Sequence, residues 1–320
     1  MELIRGLHNL GPQHRPCVAT IGAFDGVHFG HQAVIRKLQA KAEELGLPAT
    51  VIVFEPLPRE YFAPLEAPAR IMSFREKFCA LERLGVDRVL RIRFTPSLRR
   101  MSAQAFVDEV FVQGLGVQHV VLGDDFRFGN DRQGDYAFIK SQGRRYGYEA
   151  SATETCELGD ERVSSTRIRK ALADGDFALA ERLLSRPYRM SGKVIYGRQL
   201  GRELGFPTAN LQLHRLRSPL SGVFAVTVTG AGLESAPAVA NVGTRPTVAD
   251  SIQANLEVHI LQGSPQLYGR HLEVTFLHKL REERKFDSIG LLREQIGQDA
   301  DAARAWLEQH MSSPAPDGVG

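Results

Sequence analysis

The chain has 320 residues, 43% of them apolar and 24% charged, an ordinary globular balance with more length than one small domain needs. Its formal net charge is only +3 and its 40 basic residues, mostly arginine, form no basic block, so composition gives nucleic-acid binding no support. Cys17, Cys79 and Cys156 stand far apart without a CxxC spacing, which argues against a disulfide framework or zinc ribbon and suits a reducing cytoplasm; with no leader-like N-terminus and no long apolar run, a soluble, unprocessed protein without a membrane partner is expected.

Up to about residue 185, short β-branched apolar runs alternate with segments of helical period. Strands are predicted at 17–21, 50–54, 88–92 and 119–122, and helices at 31–45, 74–84, 102–113 and 134–146. This order predicts an α/β N-terminal domain with a Rossmann-like, doubly wound parallel sheet. After Pro187 the texture changes to alternating segments (GVFAVTVTG, PAVANVG, NLEVHILQ, HLEVTFLHKL) separated by Gly, Pro and Asn, the pattern of a small antiparallel β-barrel. A C-terminal helix is predicted over 288–310, with Leu291, Leu292, Ile296, Ala303 and Leu307 on its buried stripe, followed by a tail, SSPAPDGVG, expected to be disordered. The expected domains are 1–185 and 186–310, with 311–320 as the tail.

Residues 22–31 read GAFDGVHFGH. Gly22, Gly26 and Gly30 follow a predicted strand and open a predicted helix, where backbone N–H groups point at anions. With neither a dinucleotide GxGxxG nor a GK[ST], the polar work falls to His28 and His31, which share one helix face. From the residues alone a metal pair or two structural histidines stay open. The string GxFDGVHxGH, however, resembles the nucleotidyltransferase half of the bacterial bifunctional riboflavin kinase/FAD synthetases, and GDDFRFG at 123–129 and VSSTRIR at 163–169 match in order. The resemblance implies that Gly22, Phe24, Asp25, Gly26, His28 and His31 hold ATP, joined by Ser164, Ser165, Thr166 and Arg167 at a helix start. It implies that Asp125 and Phe126, with Phe54 and Pro56 as apolar walls, meet the flavin. One departure stands in FEPLPREYF, where Leu57 replaces the family's loop histidine.

Residues 192–210, GKVIYGRQLGRELGFPTAN, form a glycine-rich flap with Arg198 and Arg202 before a Pro-Thr-Ala-Asn corner. Thr208 and Asn210 are hard oxygen donors suited to Mg²⁺. The string GRxLGFPTAN resembles the flavokinase signature, which places Gly192, Gly197, Gly201, Phe206, Pro207, Thr208 and Asn210 at a second ATP site. By the same resemblance Glu257 occupies the place of the catalytic glutamate, wanted because an alcohol needs a base to take its proton. Arg281 and Glu283 are expected to close over the flavin. The implied activity is riboflavin plus ATP to FMN in the C-terminal domain, then FMN plus ATP to FAD and pyrophosphate in the N-terminal one, both with Mg²⁺.

Overall fold

The computed structural model describes residues 1–123, 126–130, 132–197, 201, 204–246, 252–263 and 265–311; Asp125, Arg198, Arg202 and the tail beyond Met311 lie outside the described residues. The chain forms two compact units, Met1–Pro68 with Phe74–Ser165, and Ala69–Ser73 with Thr166–Gly320. The expected boundary at 185/186 therefore differs from the observed division, which assigns two helices before it to the second unit. Phe177 explains this: its ring packs against Phe224 and Phe276 of the barrel, with centroids 5.9 and 6.3 Å away. The 69–73 segment joins the same unit because the Ile71 carbonyl accepts hydrogen bonds from the Tyr188 hydroxyl and the Arg215 guanidinium, both at 3.1 Å.

In the first unit β1 (Glu2–Arg5), β2 (Cys17–Ile21), β3 (Ala49–Glu55), β4 (Arg88–Arg93), β5 (Val117–Gly123) and β6 (Glu149–Thr153) form one sheet in the order β1-β4-β3-β2-β5-β6. Every pairing is parallel. The outermost strands, β1 and β6, escape the hydrophobic pattern because most of their residues are only partly covered. β2 is central and wholly buried. Its neighbours are β3 on one side and β5 on the other, so the strand order reverses there, the point at which open parallel sheets place their ligands beyond the carboxyl ends of the strands.

α1 (Phe29–Leu45) follows β2 and turns Val34, Ile35, Leu38 and Ala42 inward. Next come α2 (Pro58–Phe62), α3 (Phe74–Arg83) and α4 (Pro96–Arg100). The helix expected at 102–113 is α5 (Ala103–Phe106) running into a π-helical segment, Val107–Leu115. α6 (Tyr136–Tyr146) precedes β6, and α7 (Ser165–Asp174) and α8 (Phe177–Leu184) lead into the second unit's strands.

There β7 (Arg189–Ile195), β8 (Ala209–Gln212), β9 (Gly222–Gly230), β10 (Leu233–Pro246), β11 (Ile252–Ile260) and β12 (His271–Arg281) close into an antiparallel barrel, ordered β10-β11-β8-β7-β12-β9. Alternate residues such as Met190, Leu211, Phe224, Val226, Leu256 and Phe276 are buried in its core. α9 (Ile289–Met311) packs Ala303 and Leu307 against Ala225. Leu291, expected on the buried stripe, is instead 51% exposed. Successive residues of an α-helix lie about 100° apart, and it is Leu292 and Ile296 that face inward toward a cavity. Among the described residues no helix is long and apolar enough to cross a membrane.

Gly192 shows how tightly the barrel closes. A Cβ there would stand 2.6 Å from the Gln212 carbonyl oxygen on the next strand. Gly192→Ala is expected to cost about 1–3 kcal/mol of overpacking, read as a lowered midpoint in chemical denaturation; an unmoved midpoint would show that β7 and β8 can spread.

Candidate active sites

The turn after β2 is held in an unusual backbone form. Phe24 and Val27 have φ of 46° and 42° and Gly26 of 90°. For a β-branched residue such as Val27 this is a true outlier, and strain of this kind costs about 1–3 kcal/mol per residue. The surroundings overrule it, since Phe24 and Asp25 are each 2% exposed.

His28 caps α1: its Nδ1 accepts the His31 backbone N–H at 3.3 Å. That bond leaves Nε2 as the donor of the neutral ring. The His28 and His31 rings stack with centroids 3.6 Å apart, and the Phe24 ring lies 5.1 Å from that of His31. The two histidines expected to share a face therefore do so, as a stacked pair. The Ser165 hydroxyl donates to the Asp25 carbonyl at 2.8 Å, tying the start of α7 to the turn. Ser164 belongs with it to the first unit, whereas Thr166 and Arg167 are assigned to the second.

A cavity of about 450 Å³ opens elsewhere in the first unit, lined by Phe54, Pro58, Phe62, Phe94, Phe106 and Phe128 with Arg99, Arg100, Arg127 and Arg132. A bound water occupies only about 30 Å³, so the space suits a ring system. Its rings meet edge to face, Phe54 on Phe94 at 5.9 Å and Phe106 on Phe128 at 5.4 Å, and the Arg99 guanidinium covers Phe62 at 5.0 Å. Of the residues expected on the flavin, Phe54 lines this cavity. Pro56 does not, and Phe126 stacks behind on Phe128 at 5.8 Å. Leu57 caps α2, where its backbone N–H donates to Glu60 at 3.0 Å.

In the second unit the strand ladder assembles the site. Glu257 on β11 pairs with Asn210 on β8 and with Asn241 on β10, and the row continues through Val223 on β9 to Arg281 on β12. Paired residues of an antiparallel sheet face the same side, so this row stands together on the barrel's outer face. Glu257, Asn241 and Arg281 line one cavity with Thr208, Gly201, His259, Glu283, Phe286 and, from α9, Leu292, Ile296 and Asp299. The Asn255 amide donates to a Glu257 carboxylate oxygen at 2.9 Å.

Two side-chain oxygens flank Glu257 without a hydrogen-bond partner among the described residues: the buried Oδ1 atoms of Asn210 and Asn241. Leaving such an acceptor unmatched is costly unless a ligand meets it. Gly197 lies flat on Asn210, where a Cβ would stand 2.6 Å from the amide carbon. Pro207 and Thr208 line a neighbouring cavity with Val194, Gln266, Leu267 and Tyr268, whose ring stacks on Tyr196 at 4.2 Å. Thr208 thus faces both cavities. Phe206 and Gly192 line neither, Phe206 meeting His259 edge on at 5.5 Å.

Arg281 is not a free cation. Its Nε and Nη2 donate to both oxygens of Asp299 at 2.8 and 2.6 Å, and the Gln295 amide donates to the same carboxylate at 2.8 Å. Asn241, His259 and Asp299 escaped sequence reasoning. Asp299 left a trace, since it falls on the inward stripe of α9 between Ile296 and Ala303, where a carboxylate is out of place.

Comparison with known proteins matches two families to successive parts of the chain. A family model described as FAD synthetase matches residues 11–167, and one described as riboflavin kinase matches 184–307. The chain is 54% identical to the bifunctional riboflavin kinase/FMN adenylyltransferase of Pseudomonas fluorescens, over 95% of this chain and 97% of that one. It is 48% identical to the protein of the same description from Escherichia coli K12, over 96% and 98%. A crystal structure from Streptococcus pneumoniae, described as a macrolide-efflux protein, superposes with a TM-score of 0.76 at 30% identity, covering 96% of this chain and 100% of that one.

Removing Asp299 leaves the partly buried Arg281 without its bidentate partner. Asp299→Ala is expected to lower stability by about 2 kcal/mol, less than the ~3–5 of a fully buried pair, in denaturant unfolding of the barrel; a change near zero would assign the pair no structural weight.

Proposed function

The chain belongs to the family of bifunctional riboflavin kinases/FMN adenylyltransferases, which make FMN from riboflavin and then FAD from FMN at the expense of ATP, and on that premise we infer how its residues divide the two steps. The observation that carries the reading is Thr208, which forms wall to two cavities at once. A phosphoryl group moves between two bound molecules, so the residue at the partition belongs where the transfer occurs.

In the kinase half riboflavin occupies the cavity of Glu257 and ATP that of Tyr268. Glu257 accepts the proton of the primary alcohol as its oxygen attacks the terminal phosphorus, and ADP leaves. The Asn255 amide holds one oxygen of that carboxylate. Arg281 and Glu283 border the flavin, with Arg281 steadied by Asp299. Thr208 and Asn210 suit Mg²⁺, and the unpartnered, buried Asn210 oxygen supports that fit. Mg²⁺ bound there supplies neutralisation of phosphate charge.

In the adenylyl-transfer half the aromatic cavity around Phe54 takes the FMN ring and the turn at 22–28 takes ATP. The FMN phosphate has a second pKa of about 6 and is already ionised at neutral pH. Its oxygen attacks the α-phosphorus and pyrophosphate leaves without a protein base. The Nε2–H of His28 donates to a phosphate oxygen, and His31, stacked beneath, fixes the ring. Gly22 and Gly26 keep the backbone low enough for phosphate to approach. A cytoplasmic location is supported by three free cysteines, of which Cys17 has its thiol pushed up to about 11 by burial and is inert.

A chromatographic time course of flavins with riboflavin, ATP and Mg²⁺ tests the division. FMN should appear first and FAD after a lag. Glu257→Gln should stop FMN formation, by about 10²–10⁴-fold for loss of a general base, and still convert supplied FMN to FAD. His28→Ala should let FMN accumulate. Equal loss of both activities in either variant would refute the assignment.

A further inference from the structure

Lys77 is the largest of the fully buried side chains, 1% exposed, on the inward stripe of α3 with Ala80 and Leu81. An ammonium group in such a place is tolerated only where its donors are met. Its Nζ donates to the Ala23 carbonyl at 2.6 Å, inside the turn that follows β2. Two residues on, the Asp25 carbonyl accepts the Ser165 hydroxyl. A trans peptide is planar, so its carbonyl and its N–H point in opposite directions. Drawing the Ala23 oxygen toward Lys77 aims the Phe24 N–H the other way, and holding the Asp25 oxygen does the same for the Gly26 N–H. The Phe24 N–H has no hydrogen-bond partner among the described residues. Phe24, a non-glycine residue, holds φ of 46°, a form it would not keep unaided.

We propose that Lys77 is a positioning residue for adenylyl transfer: it anchors the Ala23 carbonyl so that the turn presents the Phe24 N–H to the nucleotide phosphates. This rests on the reading of the turn as the ATP site.

The test uses the full chain, with FAD formation from FMN and FMN formation from riboflavin measured on the same preparation. Lys77→Met should raise the KM for ATP in FAD formation about tenfold to a hundredfold, the scale of a misplaced reacting group. The KM for FMN and the kinase step should not move. Lys77→Arg, which keeps the charge and the donors, should restore much of the loss. Ser165→Ala leaves no buried charge and should raise the ATP KM roughly threefold. An unmoved ATP KM in folded Lys77→Met overturns the inference, as does a parallel rise in the KM for FMN, which would mark a general packing role. If Lys77→Met does not fold, an unmoved ATP KM in Ser165→Ala, which releases the other anchored carbonyl of the same turn, overturns it. His28→Ala runs alongside: if it still makes FAD, the reading of the turn fails, whereas normal ATP use by Lys77→Met with a dead His28→Ala removes Lys77 alone.

Discussion

Side chains alternate sides along an extended strand, and what covers those two sides decides where chemistry can stand in this protein. In the parallel sheet both faces are covered: all five residues of β2 are buried, and so are the first five of β3. Such a face leaves no polar side chain free to meet a ligand, so candidate polar groups fall at the strand ends, as in the turn at 22–28 that leaves β2. The barrel solves the problem differently. One set of alternate residues fills its interior, and the other set faces outward, where Glu257 and Asn241 border a cavity and Asn210 stands beside Glu257.

Local rules of stability are broken at these two places. Val27 holds a left-handed backbone, Lys77 buries an ammonium group, and the Asn210 and Asn241 oxygens are buried without partners among the described residues. Each feature is unfavourable by itself and tolerated because a packed shell determines it. The shell is visible in both halves. Phe24 is enclosed against the histidine pair, and Asp299 with Gln295 clamps Arg281 between β12 and α9. A site so held needs little reorganisation when phosphates arrive, which is the condition for electrostatic catalysis.

Much of the proposed phosphate machinery is legible in the amino-acid sequence because it is local. Glycines, His28 and His31 lie within ten residues of each other, and Thr208 and Asn210 within three, so spacing alone brings them together. The aromatic cavity of the first unit is barely legible there. Phe54, Phe94, Phe106 and Phe128 come from four separate segments, and each by itself reads as an ordinary core residue. Lys77 and Asp299 are visible as anomalies, a charge on an apolar stripe, yet nothing in the stripe names the carbonyl or guanidinium that receives them. The helices of 165–184 continue the α/β rhythm in sequence, and tertiary contacts such as Phe177 on the barrel and the Lys279 ammonium on the Ala173 carbonyl assign them elsewhere.

The sequence by itself determined the two kinds of sheet, the glycine turn with its paired histidines and the corner with hard oxygen donors, because these depend on neighbours a few residues apart and on the period of apolar side chains. Tertiary structure alone decided that Glu257 stands between two asparagines, that Thr208 borders two cavities and that Arg281 is committed to Asp299. Those relations join residues separated by tens of positions, and they are set by ladder register and packing, which no local pattern encodes.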